Sequence, residues 1–177
     1  MAMAPRLRKL VLTAHVTSSV GWLGAVAAFL ALAIVALVTA DDLKLRAVHL
    51  AMDLIGRFVL VPLSLASLVS GIVQSLGSPW GLFRHYWVLF KLLMNVFATA
   101  VLLMYTETLG YVAGIAANET PSADDLGLLR SPSPVIHASL ALLLLLLATT
   151  MAVYKPRGLT PYGLRKQHEQ KAASTAD

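Results

Sequence analysis

Four stretches of this chain stay apolar for longer than a soluble helix needs, and each is bounded by a short cluster of charge, proline or glycine. They run approximately over residues 10–38, 49–76, 85–109 and 135–154. A hydrocarbon core about 30 Å thick takes roughly 20 helical residues, and every stretch meets that length. The breaks carry their own signals. "TADDLK" places aspartates where a second helix needs a cap. "GSPWG" turns the chain into a third, and "NETPSADD…SPSP" is a polar, proline-rich loop before a fourth. In "YKPRG", Pro156 and Gly158 stop the fourth helix, and Pro62 should kink the second near its middle. The pattern predicts an all-α, integral membrane four-helix bundle over residues 1–158. A polar tail over residues 159–177 follows, expected to be frayed or interfacial. No internal repeat and no separate soluble domain emerges.

Composition agrees. The chain is 58% hydrophobic and only 13% charged, with a mean hydropathy of +0.74, which is the balance of a membrane protein. The first apolar stretch follows Arg6, Arg8 and Lys9 as a signal peptide would. It far exceeds the roughly 7 to 15 residues of a signal h-region, so it is expected to stay as a span. The formal charge of +5 does not form a basic patch interleaved with aromatics, so nucleic acid is not an expected partner. The cations flank the apolar stretches, as topology signals do. Arg6, Arg8 and Lys9 precede the first span, while Lys155, Arg157, Arg165, Lys166 and Lys171 follow the last. The loop from Ala117 to Pro134 holds one Arg and three acids. Both termini are therefore expected to be cytoplasmic, in the cytoplasmic membrane, with Lys44 and Arg46 a minor counter-signal. With no cysteine, thiolate metal sites, iron–sulfur ligation and a cysteine nucleophile are excluded, so redox chemistry would need a cofactor. No Walker, Rossmann, zinc-protease or serine-hydrolase signature is present.

Each predicted span carries one histidine near an end: His15, His49, His85 and His137, with only His168 in the tail. Counting about 1.5 Å of rise per residue, His15 lies about 9 Å beyond Lys9 on the cytoplasmic side. His85 enters from that side too. His49 and His137 each sit about 5 Å inside the outer boundary. The chain thus offers an outer pair, His49 with His137, and an inner pair, His15 with His85, one per leaflet. Two neutral imidazoles on different helices facing a macrocycle make a bis-histidine haem site, with the second ring nitrogen held by a hydroxyl or carbonyl. The outer pair is better matched in depth. His85 stands in an interfacial aromatic run, "PWGLFRHYW", and Lys91, about 9 Å deeper, is a rival partner for His15 that would hold a propionate or another anion. Each histidine alone has an ordinary alternative as an interfacial or hydrogen-bonded residue.

Other polar positions share these faces. His49, Asp53 and Arg57 recur at i, i+4 and i+8, and an Asp53–Arg57 pair is the expected way to keep both charges in the membrane. It is either structural or a device in which Arg57 holds a propionate or anionic substrate and Asp53 orients a ligand or passes protons. His15, Ser19 and Trp22 share a face of the first helix, where Gly21 and Gly24 allow close approach. Lys91 and Asn95 form another i, i+4 pair. Met52, Met94, Met104 and Met151 read as packing residues, and the sequon at Asn118 is too common to use.

"LTAHVTSSVGWLGAVAAFLALA", "GRFVLVPLSLASLVSGIVQSLGSPWGLFRHYWVLFKLLMN" and "AVYKPRGLTPYG" resemble a bacterial family of small four-helix membrane proteins. That family is in turn distantly similar to CopD copper-resistance membrane domains and HemJ-type protoporphyrinogen oxidases. The resemblance covers most of residues 10–163. Its motifs, a first-helix His followed by Trp-x-Gly and a third-helix "WVLFK", are moderately specific. Similarity to HemJ implies a haem-binding membrane protein that depends on the residues matching His15 and Lys91. This chain departs from HemJ in its Arg57-bearing second helix, its extra histidines and the missing tyrosine-histidine pair after the lysine. Similarity to CopD implies copper handling, although no dense Met or His cluster accompanies it.

The expected function is that of a transmembrane cytochrome b, with one or two b haems between His49/His137 and His15/His85. It would carry electrons between a quinone or small reductant and an acceptor, in the bilayer as a single chain or as a homo-oligomer. The alternatives are a copper or small-solute transporter of CopD type, in which Asp53, Arg57, Lys91 and the histidines line a polar path, a HemJ-like tetrapyrrole oxidase, and a non-catalytic membrane subunit.

Overall fold

The computed structural model describes residues 3–78 and 81–174. It is helical throughout those residues: α1 (Pro5–Val38), α2 (Asp42–Ile55), a π-helical turn (Gly56–Leu60), α3 (Val61–Leu76), α4 (Tyr86–Ala116), α5 (Ala123–Leu129), α6 (Ser133–Tyr154) and α7 (Pro161–Ser174). Since α2, the π turn and α3 run on without a break, four helical stretches are long and apolar enough to cross a membrane: Pro5–Val38, Asp42–Leu76, Tyr86–Ala116 and Ala123–Tyr154. This is a multi-pass membrane protein. The stretches extend beyond the apolar runs at several ends, because helix continues past the hydrocarbon limit wherever a cap or turn residue has not yet stopped it. Pro79 and Trp80, in the turn expected at "GSPWG", lie outside the described residues.

The caps behave as their residues dictate. Asp41 accepts from the Lys44 backbone N–H at 3.1 Å and starts α2. Ser122 and Asp125 form a reciprocal capping box on α5, a short helix inside what reads in the sequence as loop. At the end of α6, Lys155 adopts a left-handed conformation, φ 44°, because the following Pro156 disfavours right-handed helix at the residue before it. The expected effect of Pro62 takes a specific form. A proline ring clashes with the carbonyl four residues back, here Phe58, and Phe58 sits inside the π turn, where Val61 N–H reaches Gly56 O instead. One extra residue in the turn relieves the clash and the helix continues.

The core is a stripe on α1, Trp22, Val26, Phe29, Ala33 and Ala36, packed with Leu45, Val48 and Met52 of α2, Leu60 of the π turn, Leu109 and Ala116 of α4, Leu129 of α5, and Ala138 and Leu145 of α6. Helix α1 packs chiefly on α3 and α6, α2 on α4, and α4 on α6 and α3. The glycines of α1 contribute little to this closeness. A Cβ on Gly21 would meet Leu63 at an ordinary 3.5 Å, and one on Gly24 would meet nothing.

The tail departs from the frayed expectation by forming α7. Thr160 anchors it: its N–H bonds Arg84 O at 3.0 Å, its hydroxyl donates to Phe83 O at 2.5 Å, and the same oxygen accepts from Gly163 N at 3.1 Å to cap the helix. Arg84 also bonds Gln170 at 2.9 Å. The start of α4 and the start of α7 are therefore fastened at one end of the bundle, called here the terminal end. The other end, with α5, is the loop end.

Candidate functional site

Two hollows lie between the spans. At the terminal end, α1, α3 and α4 line a partly open cavity of about 130 Å³, called here the polar cavity for His15, Ser67, Gln74, Lys91 and Asn95, which share its wall with Gly71, Trp87 and several aliphatic side chains. Toward the loop end, α1, α4 and α6 flank an apolar groove of about 410 Å³ whose wall includes Trp22, Phe29, Phe97, Tyr105, His137 and Ala141.

In the polar cavity, His15 Nδ1 lies 3.1 Å from Ser67 O and 3.2 Å from Ser70 Oγ. A carbonyl only accepts, and the Ser70 hydroxyl donates to Ala66 O, so Nδ1 carries the proton and Nε2 keeps its lone pair. Ser67 is the hub. Its hydroxyl bonds Ser19 Oγ at 2.8 Å and accepts from Asn95 Nδ2 at 3.4 Å. This places His15, Ser19 and Asn95 in one network, on the helix faces where the spacing put them. Gly71 makes room here, since a Cβ would sit 3.0 Å from His15 Cε1 and the imidazole would have to give way. Buried and without a hydrogen-bond partner are Asn95 Oδ1 and Gln74 Oε1.

In the groove, His137 Nδ1 donates to Ser133 O, one turn back on α6, at 2.9 Å. Its tautomer is fixed in the same way, with Nε2 bearing the lone pair. Tyr105 stacks on the imidazole, ring centroids 4.2 Å apart and 19° from parallel, and its hydroxyl reaches Ser133 Oγ at 3.3 Å. The remaining wall is Leu, Val, Phe, Ala and Trp.

The expected histidine pairs are not brought together in a shared hollow. His49 is buried, 3% exposed, and donates through Nε2 to Leu129 O at 2.7 Å. It ties α2 to α5 and lines neither hollow. His85 caps the start of α4, pairs with Leu159 across the α4–α7 seam and lines a separate surface hollow with Arg84, Lys155 and Arg157. The rival partner is the one that shares a wall with His15: Lys91. The Asp53–Arg57 pair forms as expected, Nε to Oδ1 at 2.7 Å. It stands on the seam between α2 and α4, where the guanidinium reaches toward Thr106 O at 3.5 Å and Gly110 leaves the space for it, and it too lines neither hollow. Trp22 is buried and forms part of the groove wall. Among the described residues, no three His, Asp or Glu side chains converge as a metal cage. That arrangement bears on copper, not on a haem iron, which takes one or two axial ligands.

Sequence reasoning overlooked Tyr105, Ser133, Ser67, Gly71 and Gln74. Only the Ser133/His137 spacing at i, i+4 carried a readable signal. The others depend on which helices become neighbours. Compared with protein-family models, curated proteins and solved structures, the chain matches none of them.

Proposed function

We propose that the protein is a redox protein of the cytoplasmic membrane that holds one b-type haem in the groove between α1, α4 and α6, with His137 as the residue that would ligate its iron. The observation that carries this reading is the imidazole itself. Its Nδ1–H is held on a backbone carbonyl and its Nε2 lone pair is available at the wall of an apolar groove, which is how proteins prepare a histidine to ligate iron. Fit supports it as well. The groove is large and almost wholly apolar, and Ala98, Ala138 and Ala141 leave room in a wall that is otherwise mostly leucine, valine and aromatic side chains, surroundings that suit a flat apolar macrocycle. When bound, a haem supplies one-electron chemistry. The protein's own part is to fix the imidazole through Ser133, restrain it from one face with Tyr105, and exclude water with the surrounding Leu and Phe side chains.

Protein purified from haem-replete cells is expected to be red, with a Soret band and a sharp reduced α band. His137→Ala should remove the colour, while His49→Ala should keep it and lose stability instead. A colourless wild type, or a His49→Ala variant that alone loses its spectrum, overturns the assignment. A second reading rests on Tyr105: a hydroxyl and an imidazole at one end of an apolar trough suit an isoprenoid quinone, with headgroup on the polar pair and chain along the groove. Solvent extraction of the purified protein would yield about one quinone per chain in that case.

A further inference from the structure

The polar cavity at the terminal end belongs to neither of those readings, and it carries an imbalance. Lys91 is part of its wall, yet no Asp or Glu is, and the carboxylates of the four long helical stretches stand elsewhere: Asp53 on Arg57, Asp42 on Arg130, Asp124 and Asp125 in the first turn of α5, and Glu107 on the half of α4 nearer the loop end. A cation inside a membrane protein is costly unless an anion accompanies it. The same wall presents acceptors that have no donor. His15 Nε2 keeps a lone pair because Nδ1 bears the proton, and Asn95 Oδ1 and Gln74 Oε1 are buried and unbonded. Ser75 and Ser78 add hydroxyls toward the connection between α3 and α4.

We propose that this cavity binds a small monocarboxylate bearing its own hydroxyl donor, with the carboxylate on Lys91 and the hydroxyl on the acceptor set of His15, Asn95 and Gln74. Charge selects a monoanion, since lysine plus carboxylate sum to zero and a neutral pair is the cheapest to enclose. The orphan acceptors select the hydroxyl, because its one proton can pair with one of them or be shared between neighbours, whereas a ligand without a donor pairs with none. Size selects a short molecule: at about 130 Å³ the cavity approaches the roughly 150 Å³ that accommodates benzene. Glycolate, a two-carbon hydroxy acid, suits all three criteria. The site is separate from the groove, so it stands or falls independently of the haem.

The test is calorimetric titration of the full chain in phosphatidylcholine nanodiscs with glycolate, acetate, chloride and octanoate. Glycolate should bind saturably, one per chain, at least about tenfold tighter than acetate or chloride, a difference of about 1.4 kcal/mol. Lys91→Gln should abolish binding, and Asn95→Leu should bring glycolate down to the acetate level. If Lys91→Gln fails to fold, Gln74→Leu decides the matter on the acceptor side by the same loss of preference. No saturable glycolate binding, binding indifferent to both wall variants, or octanoate binding more tightly than glycolate would each overturn the proposal, the last by pointing to a fatty-acid chain in place of a small polar acid.

Discussion

The polar cavity at the terminal end and the apolar groove toward the loop end share α4 and one face of α1, the cavity adding α3 and the groove adding α6, and the change of character happens within about one turn on each shared helix. Along one face of α1 the order is His15, Ser19, Trp22, Val26, Phe29, and along α4 it is Lys91, Asn95, Ala98, Tyr105. Ser19 and Asn95 both reach the Ser67 hydroxyl. One turn further on α4, Thr99 is buried with its hydroxyl unpartnered, and beyond it α6 is the neighbour, where Ser133 holds the two polar groups of the groove, Tyr105 and His137. An unpartnered polar group is costly in such surroundings, so polarity thins where the Ser67 hydroxyl no longer reaches. In both hollows a histidine is set by a backbone carbonyl. What differs is the company of its free nitrogen, which is lysine and amides in one and hydrocarbon in the other.

The sharpest way to break that comparison is to fill each hollow separately. Ala141→Trp places a bulky ring in the groove and should abolish at least about 90% of haem absorbance although His137 is untouched. Gly71→Ala puts a methyl against His15 Cε1 and should eliminate glycolate binding while the spectrum stays. If either substitution disturbed both readouts, the two hollows would be one coupled site.

A smaller effect is expected on the seam between α2 and α4. Asp53→Leu leaves Arg57 in the membrane without its carboxylate partner and should lower stability, by less than an enclosed charge would cost, because Arg57 is part exposed along its length and can tilt toward the interface. Adding Arg57→Leu should restore most of the loss in an SDS-unfolding titration. A double variant no more stable than the single one would show that the pair does more than neutralise charge.

Within the polar cavity, Ser67→Ala deletes the hydroxyl shared by Ser19 and Asn95 but spares the carbonyl that holds His15. At about 0.5–1.5 kcal/mol per hydrogen bond, the same titration should register a loss of about 1–2 kcal/mol, with haem absorbance unchanged.

These contrasts also mark what could be read in the chain beforehand. The four spans, the Asp41 cap, the stop at Pro156 and the Asp53–Arg57 pair depend on residues within about one turn of each other, and local spacing is what a sequence displays. The shared faces of His15 with Ser19, and of Lys91 with Asn95, were legible for the same reason. Pairing between helices was not. Depth counting put His49 level with His137, but depth says nothing of azimuth: His49 turns to Leu129 O and His137 to Tyr105 and the groove. His85 and His15 line separate hollows: His85 immediately precedes α4, where α7, which the polar tail did not advertise, docks through Thr160 and the His85 backbone bridges to Leu159. Thr160 offered only the ordinary Thr-Pro start of a helix, and its partners lie 76 and 77 residues away.

The smallest expected effect belongs to α7, outside the spans, and it separates the docked start of that helix from its exposed body. Lys166 and Glu169 pair at 2.9 Å, i to i+3. The lysine holds the Glu169 carboxyl below the usual carboxylate range, and the carboxylate raises the Lys166 ammonium. The two signs define a window. A depressed carboxyl contributes stability above its unfolded pKa and loses it as pH falls through the folded value. A raised ammonium contributes below its unfolded pKa and loses it as pH rises through the folded one. The pair is therefore intact at neutral pH and breaks at both extremes, and because both groups are fully exposed salt should weaken it. Carbonyl carbon shifts across Arg165–Ala172 are expected to move slightly toward coil in acid and again in strong base. Those of Pro161–Leu164, held by Thr160 on Arg84, should stay helical throughout. Equal fraying of both segments would show that the anchor contributes nothing beyond the helix it starts.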